Sequence, residues 1–291
     1  MSKADALEAG EDRVAPADAF GLVSDEMRLS ILEALWRLDT PARFSDVRAE
    51  AEVEDSAHFN YHLGKLAGTF VRKSDAGYEL RTAGERVVQA VLAGTFTDHP
   101  ERPIAIDDRC TVCGGPLSAR YADEMLAVEC TDCGHVHGEY PFPPGGLNDR
   151  TDPEVLEAFD QRVRHLHCLA KDGVCPECNG RMQTLVERDA SDGLRARHVC
   201  QQCGHELPSA VGLALLDHAA VASFYTDQGV SLSETPFWQL RWAVDDDPVT
   251  VLSKDPWRLR VEMALADETL GVTVDGDLTV VETVREPSTS V

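Results

Sequence analysis

One cysteine spacing occurs twice in this chain, and it limits what the chain can fold into more than any other feature. Cys110-Thr-Val-Cys113-Gly-Gly is followed by Cys130-Thr-Asp-Cys133-Gly-His, and Cys175-Pro-Glu-Cys178-Asn-Gly by Cys200-Gln-Gln-Cys203-Gly-His. The two sets read C-x2-C-x16-C-x2-C and C-x2-C-x21-C-x2-C. Pairs so spaced can set four thiolates around a tetrahedral Zn2+ at ~2.3 Å. The glycine after Cys113, Cys133 and Cys203 suits a tight knuckle whose backbone turns without a Cβ clash. Asn179 stands at the fourth such position and also tolerates positive φ. The expectation is two structural Zn2+ ions, held by Cys110, Cys113, Cys130, Cys133 and by Cys175, Cys178, Cys200, Cys203. Four thiolates leave no open position for water, which argues against hydrolysis. Iron–sulfur ligation and redox-active disulfides compete for the same spacing. The ninth cysteine, Cys168, makes the count odd, which speaks against a disulfide framework.

Between the cysteine pairs lie hairpin-like stretches, Leu117–Val128 and Met182–Val199, and the two sets together resemble a pair of zinc ribbons. On a helical wheel Cys168 lies opposite Val155, Phe159, Val163 and Leu166, so it either packs beneath the second ribbon or is a free thiol. His135, His137 and His205 stand beside knuckles that already have four thiolates, and are expected to be polar loop residues. Each ribbon is followed by a helical stretch, Pro153–Ala170 and Ser209–Tyr225. The tail from Phe237 to Arg285 reads as strands: Leu259–Ala266, Leu270–Val274 and Leu278–Val284, with Asp275-Gly276 as a hairpin turn. Trp238, Trp242 and Trp257 are expected to pack in a core or on a strand face rather than stack on a ligand.

The first part of the chain has a different pattern. Asp25–Leu38 puts Met27, Ile31, Leu32, Leu35 and Leu38 on one helical face. Phe44–Ala51 and Asp55–Ala67 are two further helices. Phe70–Ser74 and Tyr78–Arg81 flank a turn at Asp75-Ala76-Gly77. A last helix starts at Thr82, where Thr82-Ala-Gly-Glu85 has capping-box spacing, and runs to Gly94. Three helices, a hairpin and a helix are the order of a winged helix-turn-helix, whose third helix enters the major groove while the hairpin lies along phosphates. The segment from Phe20 to Leu35, and Phe59-Asn-Tyr-His-Leu-Gly-Lys-Leu66 followed by Phe70-Val-Arg-Lys73, resemble the opening, recognition helix and wing of ArsR-like winged-helix regulators. The whole chain resembles a haloarchaeal ArsR-like regulator with a zinc-ribbon C-terminal region.

That resemblance implies double-stranded DNA as the partner and Ser56, Ala57, His58, Asn60, Tyr61, Lys65, Arg72, Lys73 and Arg81 as the contact residues. Asn can pair with adenine and Lys with guanine. His62 borders the apolar face and is expected to be structural. ArsR-like proteins commonly pair through their first and last helices, which implies a homodimer through Ala17–Val23 and Thr82–Gly94. The metal-sensing members carry a Cys pair on the helix before the turn. Phe44–Ala51 has no Cys or His, so sensing through that site is not expected.

Charge gives an independent pointer to the same surface. The chain has 51 Asp+Glu against 27 Lys+Arg, a net charge of −24, and few of its basic residues are Lys. Such a surface suits molar salt, where the Debye length is only ~3 Å. Yet Ser56 to Ser74 contains no acidic residue, the longest such stretch in the chain, and holds Lys65, Arg72 and Lys73. A stretch spared of carboxylates in so acidic a chain suits contact with phosphate. No apolar run approaches the ~20 residues of a membrane span, and the first residues have no apolar signal-peptide core, so a cytoplasmic protein without membrane contact is expected. There is no nucleophile elbow, phosphate-binding glycine loop or HExxH, and Gly145-Gly146 follows a proline-rich stretch rather than a strand, so no enzyme is expected.

The expected class is α+β multidomain: an N-terminal winged helix-turn-helix, two four-cysteine zinc ribbons with interspersed helices, and a C-terminal small antiparallel β-sheet. The boundaries read 1–15 disordered tail, 16–95 winged helix, 96–109 linker, 110–150 first ribbon, 151–172 helix, 173–235 second ribbon plus helix, and 236–286 sheet. The function expected is a DNA-binding transcriptional regulator. The alternative is a zinc-ribbon adaptor that docks on the transcription machinery through protein contacts.

Overall fold

The computed structural model describes residues 14–189 and 193–288. The tail expected to be disordered over 1–15 lies outside that range except for Val14 and Ala15. The chain divides into two compact units. One runs to Asp98 and includes Pro143–Gly145; the other holds His99–Phe142 and the chain from Gly146 onward.

The first unit contains α1 (Pro16–Val23), α2 (Glu26–Arg37), α3 (Phe44–Glu50), α4 (Ser56–Leu66), the hairpin β1 (Val71–Ser74) and β2 (Gly77–Leu80), and α5 (Thr82–Leu92). Aspartates start two of these helices. The Asp25 carboxylate accepts from the Arg28 amide at 3.1 Å, and that of Asp55 from the Ala57 and His58 amides at 2.8 and 3.1 Å. Each satisfies donors that a helix N-terminus leaves orphaned. The inward positions read from the helical period, Ile31, Leu35, Phe59, Leu63 and Leu66, form one core with Val47 and Val71. Thr82 is the first residue of α5 rather than its cap. Arg81 stands at the N-cap with no side-chain bond, so the capping box expected at Thr82 and Glu85 is not formed.

The hairpin closes with Ser74 opposite Gly77, leaving Asp75-Ala76 as a two-residue turn. Gly77 has φ +142°, and a Cβ there would lie 2.4 Å from the Ala42 carbonyl oxygen. That crowding exists because Ala42 pairs with Tyr78, exchanging two backbone bonds of 2.9 and 2.8 Å. Only glycine fits where the α2–α3 connection meets the hairpin.

The second unit opens with an antiparallel sheet in chain order, β3 (Arg102–Ile104), β4 (Leu117–Ala122), β5 (Met125–Cys130) and β6 (Val136–Pro141). Next comes α6 (Asp152–Lys171), started by a formed capping box between Thr151 and Glu154. A second sheet holds β7 (Met182–Asp189), β8 (Gly193–Cys200) and β9 (Glu206–Ser209). After it stand a 3-10 turn at Val211–Leu215, α7 (Ala219–Asp227), a second 3-10 turn at Phe237–Gln239 and the short α8 (Arg241–Val244). The chain ends in a four-stranded antiparallel sheet, β10 (Val249–Lys254), β11 (Trp257–Leu265), β12 (Glu268–Asp275) and β13 (Val280–Pro287).

The segment 96–109 is not only a linker: β3 lies in it and pairs with β4 from Arg102↔Tyr121 to Ile104↔Ala119. The stretch after Phe237 is helical turns before it is sheet, and β10 adds a strand the apolar runs did not reveal. Leu278 sits in the last turn at φ +59°, buried, rather than on a strand. The segments read as separate ribbons, helix and sheet share one core, which runs from Ile104 through Tyr121, Phe159, Phe237 and Trp238 to Leu278. Trp238 and Trp242 are buried in it, as packing residues. No described helix is long and apolar enough to cross a membrane.

Candidate metal centres and candidate nucleic-acid interface

Each cysteine set is assembled from the loop before a hairpin and from the hairpin's far end. Cys110 and Cys113 precede β4, Cys130 closes β5 and Cys133 lies in the turn to β6; the second set is placed the same way around β7 and β8. The sulfurs meet at matching distances. Cys110–Cys133 and Cys175–Cys203 are 3.8 Å apart, and Cys113–Cys130 and Cys178–Cys200 are 3.5 Å apart. A metal with four sulfurs at ~2.3 Å has ligand–ligand edges of about 3.8 Å. The two groups are therefore shaped to hold one metal ion each.

The knuckles show why the sequence needs Gly or Asn there. Gly114, Gly134, Asn179 and Gly204 all have φ between +58° and +77°. Each donates its amide to the carbonyl of the first cysteine of its pair, at 2.9 to 3.1 Å. Further amides turn toward sulfur: Gly115 to Cys113, Gly180 to Cys178 and Gln202 to Cys200, each at 3.4 Å. The Cys133 and Asp132 amides bring the Cys130 thiol down to about 7. At Cys200 burial opposes ionisation, but the Cys203 and Gln202 amides win and bring it to about 6. The Gly115 amide also favours the Cys113 thiolate, yet the neighbouring thiols Cys133 and Cys130 push Cys113 up to about 12. Within each set some sulfurs are poised to ionise and others hold the proton, which is the behaviour expected of thiols that a divalent cation would ionise together.

His137 is not the polar loop residue expected. It lies on β6, 2% exposed, with Nδ1 3.0 Å from the Trp238 carbonyl oxygen and Nε2 3.3 Å from Cys110 Sγ. Burial lowers its pKa. His135 is in the loop, half-buried, with Nε2 3.2 Å from the Val244 carbonyl oxygen. His135 and His205 play equivalent backbone roles, their carbonyls accepting from the Cys130 and Cys200 amides. Cys168 faces away from the core side of α6 and donates to Asp217 at 3.1 Å. That bond, with partial burial, pushes its thiol up to about 11, so it is held protonated.

Two further histidines escaped the sequence reading. His167 on α6 and His198 on β8 are fully buried, with ring centroids 6.3 Å apart. His198 Nδ1 meets Thr184 Oγ1 at 2.9 Å, whereas neither nitrogen of His167 has a protein partner. Burial lowers them to about 3 and about 4, keeping both neutral. The signal was available: each falls on the apolar side of its element's period.

On the first unit, all nine residues expected to touch DNA are exposed, on α4, on β1 or at Arg81 just after the hairpin. Lys65 lies over the Tyr61 ring at 5.4 Å and Lys73 over Tyr78 at 5.6 Å. Arg72 is not free: Glu79, opposite it in the hairpin, holds its guanidinium at 3.0 Å. Arg81 donates to the Gly68 carbonyl. His62 is buried, its Nδ1 3.2 Å from Asp25 and its Nε2 2.9 Å from the Nε2 of exposed His58.

The family model described as Domain of unknown function (DUF7351) matches residues 107–280, and that described as Domain of unknown function (DUF7347) matches residues 16–91. No curated protein and no solved structure matches the chain.

Proposed function

We propose that this chain, which belongs to the DUF7351 family, is a DNA-binding transcriptional regulator with two structural zinc ions. In this reading the first unit is a winged helix-turn-helix similar to that of ArsR-like regulators, with α4 as recognition helix and β1–β2 as wing. One observation carries it. In a chain of net charge −24, the surface of α4 and β1 has no carboxylate from Ser56 to Ser74, and its exposed side chains include His58, Asn60, Tyr61, Lys65, Arg72 and Lys73. Phosphate contacts position a protein on DNA and base-edge contacts specify sequence; this face offers both residue types. Zinc is favoured by the donor sets, since four thiolates in a closed tetrahedron suit a structural zinc site.

A homodimer fits the same reading. α1 buries none of its residues, and Phe20, Leu92 and Phe96 are exposed on the first unit. The acidic, lysine-poor surface accords with a salt-adapted cytoplasm. The test is a gel shift on fragmented genomic DNA in molar salt, comparing the native chain with the Lys65→Ala, Arg72→Ala, Lys73→Ala triple variant. Selective retention that the triple substitution abolishes supports the reading. No retention by the native chain, with recovery of transcription proteins on it instead, favours the adaptor.

A further inference from the structure

The two four-cysteine units are built alike, and one of the buried positions at which they differ lies just after the second knuckle. Laying the second knuckle of one on that of the other pairs His135 with His205 and His137 with Leu207. Both His137 on β6 and Leu207 on β9 are 2% exposed. Where the second unit turns a hydrocarbon inward, the first turns an imidazole toward Cys110 Sγ.

The contacts of that ring fix its orientation. Nδ1 lies 3.0 Å from the Trp238 carbonyl oxygen and Nε2 3.3 Å from Cys110 Sγ. A carbonyl only accepts, and a neutral imidazole has one N–H, so Nδ1 carries the hydrogen and the Nε2 lone pair faces Cys110 Sγ. An Nδ1–H donated to a backbone carbonyl, with Nε2 left bare, is how proteins orient a histidine that binds metal. The spacing fits too. A nitrogen at ~2.0 Å and a sulfur at ~2.3 Å on one tetrahedral metal lie about 3.5 Å apart, close to the 3.3 Å observed.

We propose that His137 is a reserve ligand of the first metal centre. When one of the four thiolates is lost, Nε2 takes the open position and the metal stays, held by three sulfurs and one nitrogen. In the second centre the matching sequence position is Leu207, which offers no ligand atom. Of the four sulfurs in each unit, Cys113 and Cys133 in the first and Cys178 and Cys203 in the second are exposed, and these are the ones to remove.

The experiment loads the full-length chain with Co2+ alone. It compares Cys113→Ala and Cys133→Ala with Cys178→Ala and Cys203→Ala, each with and without His137→Leu. Bound cobalt is counted and its d–d and thiolate charge-transfer absorption recorded. The native chain and His137→Leu should each bind two Co2+. At least one of the first-centre variants should also keep two, with the d–d band shifted toward a three-sulfur, one-nitrogen set. Both second-centre variants should fall to one, as should the retaining variant once His137→Leu is added. The cobalt left in the untouched centre reports that each variant is still folded. If all four cysteine variants fall to one, or if retention survives His137→Leu, the reserve ligand is refuted. Fewer than two Co2+ on the native chain would overturn the metal reading itself.

Discussion

At the scale of single residues, the surface proposed to meet DNA is less basic than its composition implies. Arg72 and Glu79 face each other across the hairpin, and the carboxylate takes up the guanidinium that a phosphate would need. Lys73 has no carboxylate partner among the described residues, and its exposed ammonium lies 5.6 Å from the centre of the Tyr78 ring. The two neighbours should therefore behave differently. Lys73→Ala is expected to weaken binding to all sequences alike and lower the salt slope by roughly one. Arg72→Ala should do less. Glu79→Gln should strengthen binding and steepen the slope, because it frees a cation and removes a charge that repels phosphate. Fluorescence anisotropy on a mapped site across a KCl series reads all three, and an unchanged affinity in Glu79→Gln would refute this account. The carboxylate-free stretch was legible in the sequence as a simple run. The Arg72–Glu79 pairing follows only from the cross-strand register, which the turn at Asp75-Ala76 sets.

At the scale of elements, legibility follows length and period. Helices α2, α4 and α6 each turn apolar residues inward at regular spacing, and they lie within a residue or two of their expected bounds. β3 spans three residues, Arg102-Pro-Ile104, too few for any period, and exists because β4 offers it an edge. Phe237–Val244 is an apolar run that a strand and a buried helical turn would display alike, so only packing decides it. Capping-box spacing alone does not decide capping: that of Thr82 and Glu85 is not formed, whereas that of Thr151 and Glu154 is. Burial works against ionised Asp25, but the Arg28 amide, the His62 ring and the Arg28 guanidinium outweigh it and hold the carboxyl below its ordinary range. The Asp55 carboxyl is lowered by the His58 and Ala57 amides. A depressed folded-state pKa means stability that is present above the ordinary carboxylate range and lost as pH falls through the folded value. Asp25→Ala is expected to destabilise the first unit by about 1 kcal/mol at neutral pH and to shrink its loss of stability in acid. Urea unfolding followed by helical circular dichroism at pH 7 and pH 3 checks both. Equal acid sensitivity in variant and native chain would count against the cap.

The second unit also carries an acid limb, of different origin. His167 and His198 are buried neutral, lowered by burial to about 3 and about 4. An unfolded chain takes up protons on histidine near pH 6.5, which the folded unit refuses. This contribution is therefore fully present above pH 6.5 and lost as pH falls from there toward the folded values. His167→Leu should flatten that limb, since His167 has no protein hydrogen-bond partner to forfeit. The check is the melting temperature at pH 7.5 and pH 5: the difference between them should be smaller in the variant, and an equal difference would refute it.

At the scale of the whole molecule, the sequence shows four modules after residue 109 and the structure shows one body. Cys110, Cys130, Cys175 and Cys200 are members of the same apolar core as Phe159, Trp238 and the inward faces of β11 and β12. The reason is mutual need: each ribbon sheet is short, and the last sheet has an apolar face that only the rest of the unit can cover. Magnitudes then decide what metal removal does. A structural zinc site contributes about 10–16 kcal/mol of apparent binding energy, whereas a domain is stable by only about 5–15 kcal/mol in total. Because the cysteines and the last sheet share a core, the loss cannot stay local to the knuckles. Chelation at constant high salt is expected to unfold β10–β13, which hold no ligand, together with the two four-cysteine units. The first unit draws on a separate core and should keep its helices. Hydrogen exchange resolved by peptide tests this directly. Amides of Leu259–Met263 and Leu270–Val274 should lose protection in step with those around Cys130 and Cys200, while those of Leu32–Leu35 and Leu63–Leu66 should not. Retained protection in the last sheet after full metal removal would show that it folds without the ribbons, and that the shared core couples them less than its continuity implies.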